Sequence, residues 1–153
     1  MKTIYIFLII IFFSGCSNKN AFVFFDMDEH QELSAQSFKR VKLLSEDSVL
    51  GTFSSIYLNE VYPNRYNKNE YFIVYVYLKD SSMPYTIELN SKESVKLKEL
   101  NHDNRFSDLI REKSKWSRYY LVSFEEVKGD MLNLELYVNG SKLANVSYFK
   151  NKH

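Results

Sequence analysis

Few residues in this chain have types and spacing suited to chemistry. The densest group of potential ligands is Asp26, Asp28, Glu29 and His30. Oxygen-rich side chains can hold calcium, but the EF-hand spacing with its glycine and terminal glutamate is absent. A solvated strand end is the better reading, and the sequence predicts no metal site. His102 and Asp103 form a second pair, of a kind that can exchange protons. They stand just before a helical pattern, where Asp103 or Asn104 is better explained as a helix cap. There is no G-x-S-x-G nucleophile motif and no phosphate loop beside them. Three histidines, one of them the last residue, make no zinc set. The expectation is no catalytic residue, no cofactor and no enzyme.

The tyrosines say more. Tyrosine joins an apolar body to a polar tip and is enriched at protein interfaces. Tyr71, Tyr75 and Tyr77 share one face of a strand pattern and are expected to pack under another layer. Tyr62 and Tyr66 flank a polar stretch, residues 63–69, that also carries Arg65. Loops of this kind carry binding residues. Tyr62, Arg65 and Tyr66 are therefore the candidate partner-binding residues, expected to be exposed.

Cys16 is the sole cysteine, so no intrachain disulfide can form. Before it lie the basic Lys2, an apolar run over residues 4–13, and the small Ser14 and Gly15. About ten apolar residues are too few to span a bilayer, which needs ~20. The pattern is that of a signal peptide. The quartet Phe13-Ser14-Gly15-Cys16 resembles the lipobox of bacterial lipoproteins, with Phe13 where that family prefers Leu. The resemblance covers the leader alone. It implies a diacylglycerol on Cys16, cleavage just before it, and further acylation of the new amine by a fatty acid such as palmitate. It also implies attachment to an envelope membrane. Ser17, where Asp would favour the inner membrane, is compatible with the outer membrane facing the periplasm. The expected division is 1–15 signal peptide, 16–20 lipidated cysteine and tether, and 21–150 one β-rich domain.

Of 20 basic residues only Lys2 lies in that leader, leaving 19 against 19 acidic ones. A balanced chain lacks the basic face that nucleic acid requires. Aromatic and β-branched residues abound while Gly and Pro are scarce, a composition that favours strands.

The periodicity predicts short strands. One is expected at residues 21–27, another at 38–44, and turn signals span 46–51. An imperfect strand covers 52–62. The strongest strand, 70–79, is apolar on both faces and is placed centrally in a sheet. Residues 85–89 alternate cleanly and are expected to form a hairpin with it. A short strand around 95–99 follows. Phe106, Leu109, Ile110 and Lys113 then show helical spacing, predicting a late helix of about three turns. Strand period returns over 116–125 and 132–138. Asn139-Gly140 signals a two-residue hairpin turn into a last strand, 141–149. The expected fold is mainly β: an antiparallel β-sandwich of about eight short strands with one late helix. A single curved sheet packed by that helix is the alternative.

The expected function is a membrane-anchored, non-enzymatic protein-binding or assembly module of the cell envelope. A secretion-machine subunit or a toxin-immunity protein would fit. A small-molecule or metal-binding envelope lipoprotein is the alternative.

Overall fold

The computed structural model describes residues 28–46, 48–109 and 114–150. The leader, Cys16, the tether, the strand expected at 21–27 and the tail 151–153 lie outside the described residues. The chain opens with helix α1 (Glu29–Ser37), followed by strands β1 (Lys39–Ser45) and β2 (Ser48–Tyr57). A one-turn helix α2 (Leu58–Val61) precedes β3 (Glu70–Leu78), β4 (Tyr85–Leu89), β5 (Lys92–Glu93) and β6 (Lys96–Leu100). A 3₁₀ turn (Ser107–Leu109) leads towards β7 (Arg118–Phe124), β8 (Met131–Val138) and β9 (Ser141–Phe149).

The described strands form two antiparallel sheets. The first has the order β1-β2-β3-β7-β6 and the second β5-β4-β8-β9. Alternation decides what each face buries. On β3, Phe72, Val74, Val76 and Leu78 enter the core between the sheets, where they meet Ile87, Leu132, Leu134, Leu136 and Val146. Full burial of such a side chain contributes about 1.5–3 kcal/mol. The fold is a β-sandwich, as the strand spacing predicts, with β3 central in its sheet.

A second core lies on the outer face of the first sheet. There Ile56 and Ile73 pack with Leu58, Val61, Tyr66, Phe106 and Leu109. Helices α1 and α2, the 62–69 loop and the 3₁₀ turn supply this third layer. It explains why β3 is apolar on both faces.

Four expectations need correction. First, β3 and Tyr85–Leu89 are no hairpin. The chain crosses to the second sheet over residues 79–84, and β4 pairs with β5 and β8. Second, the only described part of the expected late helix is the 3₁₀ turn, and residues 110–113 lie outside the described residues. Asn104 shapes this turn, its Oδ1 accepting from Phe106 N at 2.9 Å. Third, a true helix, α1, occupies residues read as a loop or one short turn. Its buried residues are Ser34 and Ser37, which leave no apolar stripe to read. Gly51, read as a turn residue, lies within β2 facing β3. A Cβ there would come 1.9 Å from the Tyr77 carbonyl oxygen, so only glycine fits.

Polar bridges tie the sheets together. Ser55 Oγ and Tyr148 Oη lie 2.7 Å apart, and Tyr85 Oη and Tyr120 Oη 2.5 Å apart. At one end, Glu70 is 2 % exposed and accepts from Tyr57 Oη at 2.6 Å and from Val127 N at 3.0 Å. Lys150 completes the cluster with an ion pair to Glu70 and a hydrogen bond to the Val127 carbonyl. Burial, with the Glu70 carboxylate beside it, pushes the Tyr57 hydroxyl far above the usual tyrosine range.

Candidate functional site

The third layer covers only part of the first sheet's outer face. Strand register shows where it stops. The row Ile56–Ile73–Leu121 belongs to the second core, and so do the buried rings of Tyr75 and Tyr119 in the row after it, so the layer thins towards Arg40, Thr52 and Tyr77. The next row runs Arg40–Ser54–Tyr75–Tyr119, and beyond it runs Lys42–Thr52–Tyr77. In these rows the short Thr52 and Ser54 sit among larger Arg40, Tyr75 and Tyr77. The difference in side-chain length leaves a depression, a cleft of about 540 Å³.

Residues 114–117, just before β7, form one wall of this cleft. Tyr119 holds the wall in place. Its hydroxyl donates to the Ser114 carbonyl at 2.7 Å and accepts from Ser114 N at 3.0 Å. Ser114 Oγ in turn accepts from Trp116 N at 3.3 Å. Trp116, the only tryptophan of the chain, is 82 % exposed. Tryptophan is one of the residue types enriched at protein interfaces.

The cleft has a chemical sign. Its described lining includes the cations Arg40 and Lys115 and no carboxylate. Arg40 Nε donates to Ser54 Oγ at 3.1 Å, and the guanidinium lies 5.2 Å from the Phe38 ring centre. Tyr75 is 7 % exposed and meets the Tyr119 ring edge-on at 5.0 Å. Its Oη finds no hydrogen-bond partner among the described residues. Burial pushes this hydroxyl far above the usual tyrosine range, so it remains a neutral donor.

The residues singled out from sequence fall elsewhere. Tyr66, expected at the surface, is 6 % exposed. Its ring packs 4.8 Å from Tyr71, and its hydroxyl accepts from Arg105 Nη2 at 3.0 Å. Tyr62 is half-buried, with its ring 4.4 Å from His30. Its hydroxyl is pushed up by burial and by nearby Asp28. Arg65 is exposed, its guanidinium 5.8 Å from the Tyr66 ring centre. The loop does bring the three together, but chiefly as a lid over the second core.

The acidic stretch is also structural where described. Asp28 caps α1, and His30 Nδ1 lies 2.9 Å from the Val61 carbonyl oxygen, to which its N–H donates. Asp26 lies outside the described residues. Among the described residues no three His, Cys, Asp or Glu side chains converge as a metal set would. His102 is exposed and edge-on to the Tyr119 ring at 5.6 Å. Sequence reasoning passed over Trp116, which reads there as the first residue of a strand. Its flanking Ser114, Lys115 and Ser117 were the available sign of a solvated turn. Thr52, Ser54 and Tyr75 gain meaning only once strands far apart in sequence are in register. No protein-family model, no curated protein and no solved structure matches this chain.

Proposed function

We propose that this chain is a lipid-anchored, non-enzymatic lipoprotein of the bacterial cell envelope that docks a protein partner in the cleft beside Trp116. The observation that carries the docking reading is the side-chain set gathered there. Trp, Tyr and Arg dominate the energetic centres of protein interfaces. Here Trp116, Tyr75, Tyr77 and Arg40 surround one depression on a rigid sheet. A secretion-machine subunit and a toxin-immunity protein both fit this reading.

The anchoring reading rests on residues 1–16. Two or three acyl chains on Cys16 would hold the protein firmly, since one gives only marginal binding. Twelve residue steps separate Cys16 from Asp28, so Asp28 lies within roughly 40 Å of the lipidated cysteine. Cys16→Ser is expected to keep the leader and leave the membrane fraction. Recovery of that variant in membranes with its leader removed would refute the anchor.

Docking is tested by a photo-crosslinking residue at position 116 in the native host. One identified protein should be captured there, and none by the same residue at Lys79. Equal capture at both positions would end the docking reading. The cleft volume, within the roughly 300–1,000 Å³ of small-ligand sites, favours a small-molecule binder as the second reading. That reading predicts a ligand-dependent rise in melting temperature without a captured protein.

A further inference from the structure

We infer that helix α1 is a releasable length of tether: docked, it keeps the sandwich close to the lipid surface, and drawn off by load on the anchored chain it lets the sandwich move further out. This rests on the anchoring reading above and adds a conformational device to it.

Three observations converge on it. The first is what fastens α1. None of its apolar side chains is fully buried: Leu33 is half-buried against the second core, Ala35 is exposed, and the buried residues are Ser34 and Ser37. These two meet backbone groups, Ser34 Oγ donating to the Leu109 carbonyl at 2.7 Å and Ser37 Oγ accepting from Tyr57 N at 3.0 Å. His30 adds its bond to the Val61 carbonyl. Water can replace each of these partners once the helix leaves, whereas it does not replace buried apolar contact. Segments with few buried apolar contacts open at free energies well below that of global unfolding. The second is length. Nine residues fall short of the roughly 12–15 at which an isolated helix begins to hold in water, so α1 unravels when it leaves its seat. The third is position in the chain. Load entering at Asp28 meets the fastenings of His30, Ser34 and Ser37 in turn rather than together. Peeling stops at Phe38, which packs on the second core, and at β1, which pairs with β2 throughout and buries Leu43 in the main core.

Release changes the reach. Twenty-two residue steps separate Cys16 from Phe38, so freeing α1 moves the limit from roughly 40 Å to roughly 75 Å. A docked partner can then sit further from the membrane without breaking the anchor. Amide hydrogen exchange on the full lipoprotein in phosphatidylcholine nanodiscs should show residues 32–37 exchanging at least about a hundredfold faster than the amides of β3. Ser34→Ala should speed exchange of 32–37 by about a further fivefold through the lost bond to Leu109 and leave β3 unchanged. Ala35→Pro, at an exposed position inside the helix, should abolish protection of 32–37 while β3 stays protected. The lipoprotein is then pulled in a supported bilayer through a thiol handle at the exposed Lys79 (Lys79→Cys). A reversible step of about 18 Å in contour length is expected below the force that unfolds the sandwich, as nine residues pass from ~1.5 Å to ~3.5 Å each.

Exchange of residues 32–37 at the rate of β3 would overturn the inference. So would loss of β3 protection in Ala35→Pro, which would make α1 part of one cooperative unit with the sandwich. A single all-or-none step under load, with no shorter step before it, would overturn it too. If Cys16→Ser refutes the anchor, the tether role falls with it whatever α1 does. If the anchor stands and α1 opens only with the whole fold, this inference alone falls.

Discussion

Glu70 gathers three donors at a place where water cannot replace them. Tyr57, Val127 and Lys150 all point at one carboxylate that is 2 % exposed. Removing one member of a buried ion pair strands the others and typically costs about 3–5 kcal/mol. Glu70→Ala is therefore expected to lower unfolding stability by about 3 kcal/mol in urea titration, since Lys150 keeps some contact with solvent. A loss below about 0.5 kcal/mol, the range of ordinary surface substitutions, would show that the cluster does not hold the two sheets together. At this scale the sequence was partly legible. Glu70 reads as a polar residue at the head of an apolar strand. Its role depends on Lys150, which lies eighty positions away and belongs to the other sheet's last strand end. Tyr66 misled for a related reason. A tyrosine beside Pro63 and Arg65 looks solvated, but the loop folds back and lays its ring on Tyr71.

Elements were legible where the pattern was local. Asn139-Gly140 announces its hairpin because both positions adopt positive φ, 51° and 78°, which Asn and Gly tolerate best. Strand β3 announces itself because every residue from Tyr71 to Leu78 is apolar or aromatic. Helix α1 was hidden because Ser34 and Ser37 fill its buried side. Ser34 Oγ donates to the Leu109 carbonyl at 2.7 Å, so polar contacts replace an apolar stripe. Its one readable sign is the capping box. Asp28 Oδ1 accepts from Gln31 N at 2.8 Å, and Gln31 Oε1 accepts from Asp28 N at 3.2 Å. Asp28→Ala is expected to cost about 1 kcal/mol of stability, and Asp28→Asn much less. Equal losses from both substitutions, measured by thermal unfolding, would show that charge rather than capping is what matters there.

At the scale of the molecule, sheet membership was the part the sequence could not give. Residues 85–89 follow β3 after a short turn, and proximity alone favours pairing. The chain instead changes sheets there, because β3 already has β2 and β7 on its two edges. That choice depends on β7 and β8, which pair with β3 and β4 across forty or more residues, and periodicity does not encode such pairings. Both cores bury tyrosines, and this gives the fold a predictable response to alkali. Burial holds Tyr75 and Tyr148 well above the usual tyrosine range, on opposite faces of the first sheet. A raised folded value means that the protonated form is favoured by folding. Its stabilising effect is fully present below the unfolded value near 10 and is lost as pH rises above it. Each such tyrosine should remove about 1.4 kcal/mol per pH unit above ~10. Absorbance at 295 nm should show these phenols ionising together with loss of near-ultraviolet circular dichroism. Their titration near pH 10 in a chain that remains folded would contradict their burial.

The lone hydroxyl of Tyr75 carries an evolutionary consequence. Phenylalanine would keep the same ring against Tyr119 and remove a buried donor that has no partner among the described residues, a gain of about 1–3 kcal/mol for the isolated fold. Selection for stability alone would erase that oxygen within a diverging lineage. In descendants that retain the Trp116–Lys115 wall, the tyrosine should be kept. In those that have lost the wall, it should drift to phenylalanine, and independent drift of the two would remove any tie between this oxygen and binding.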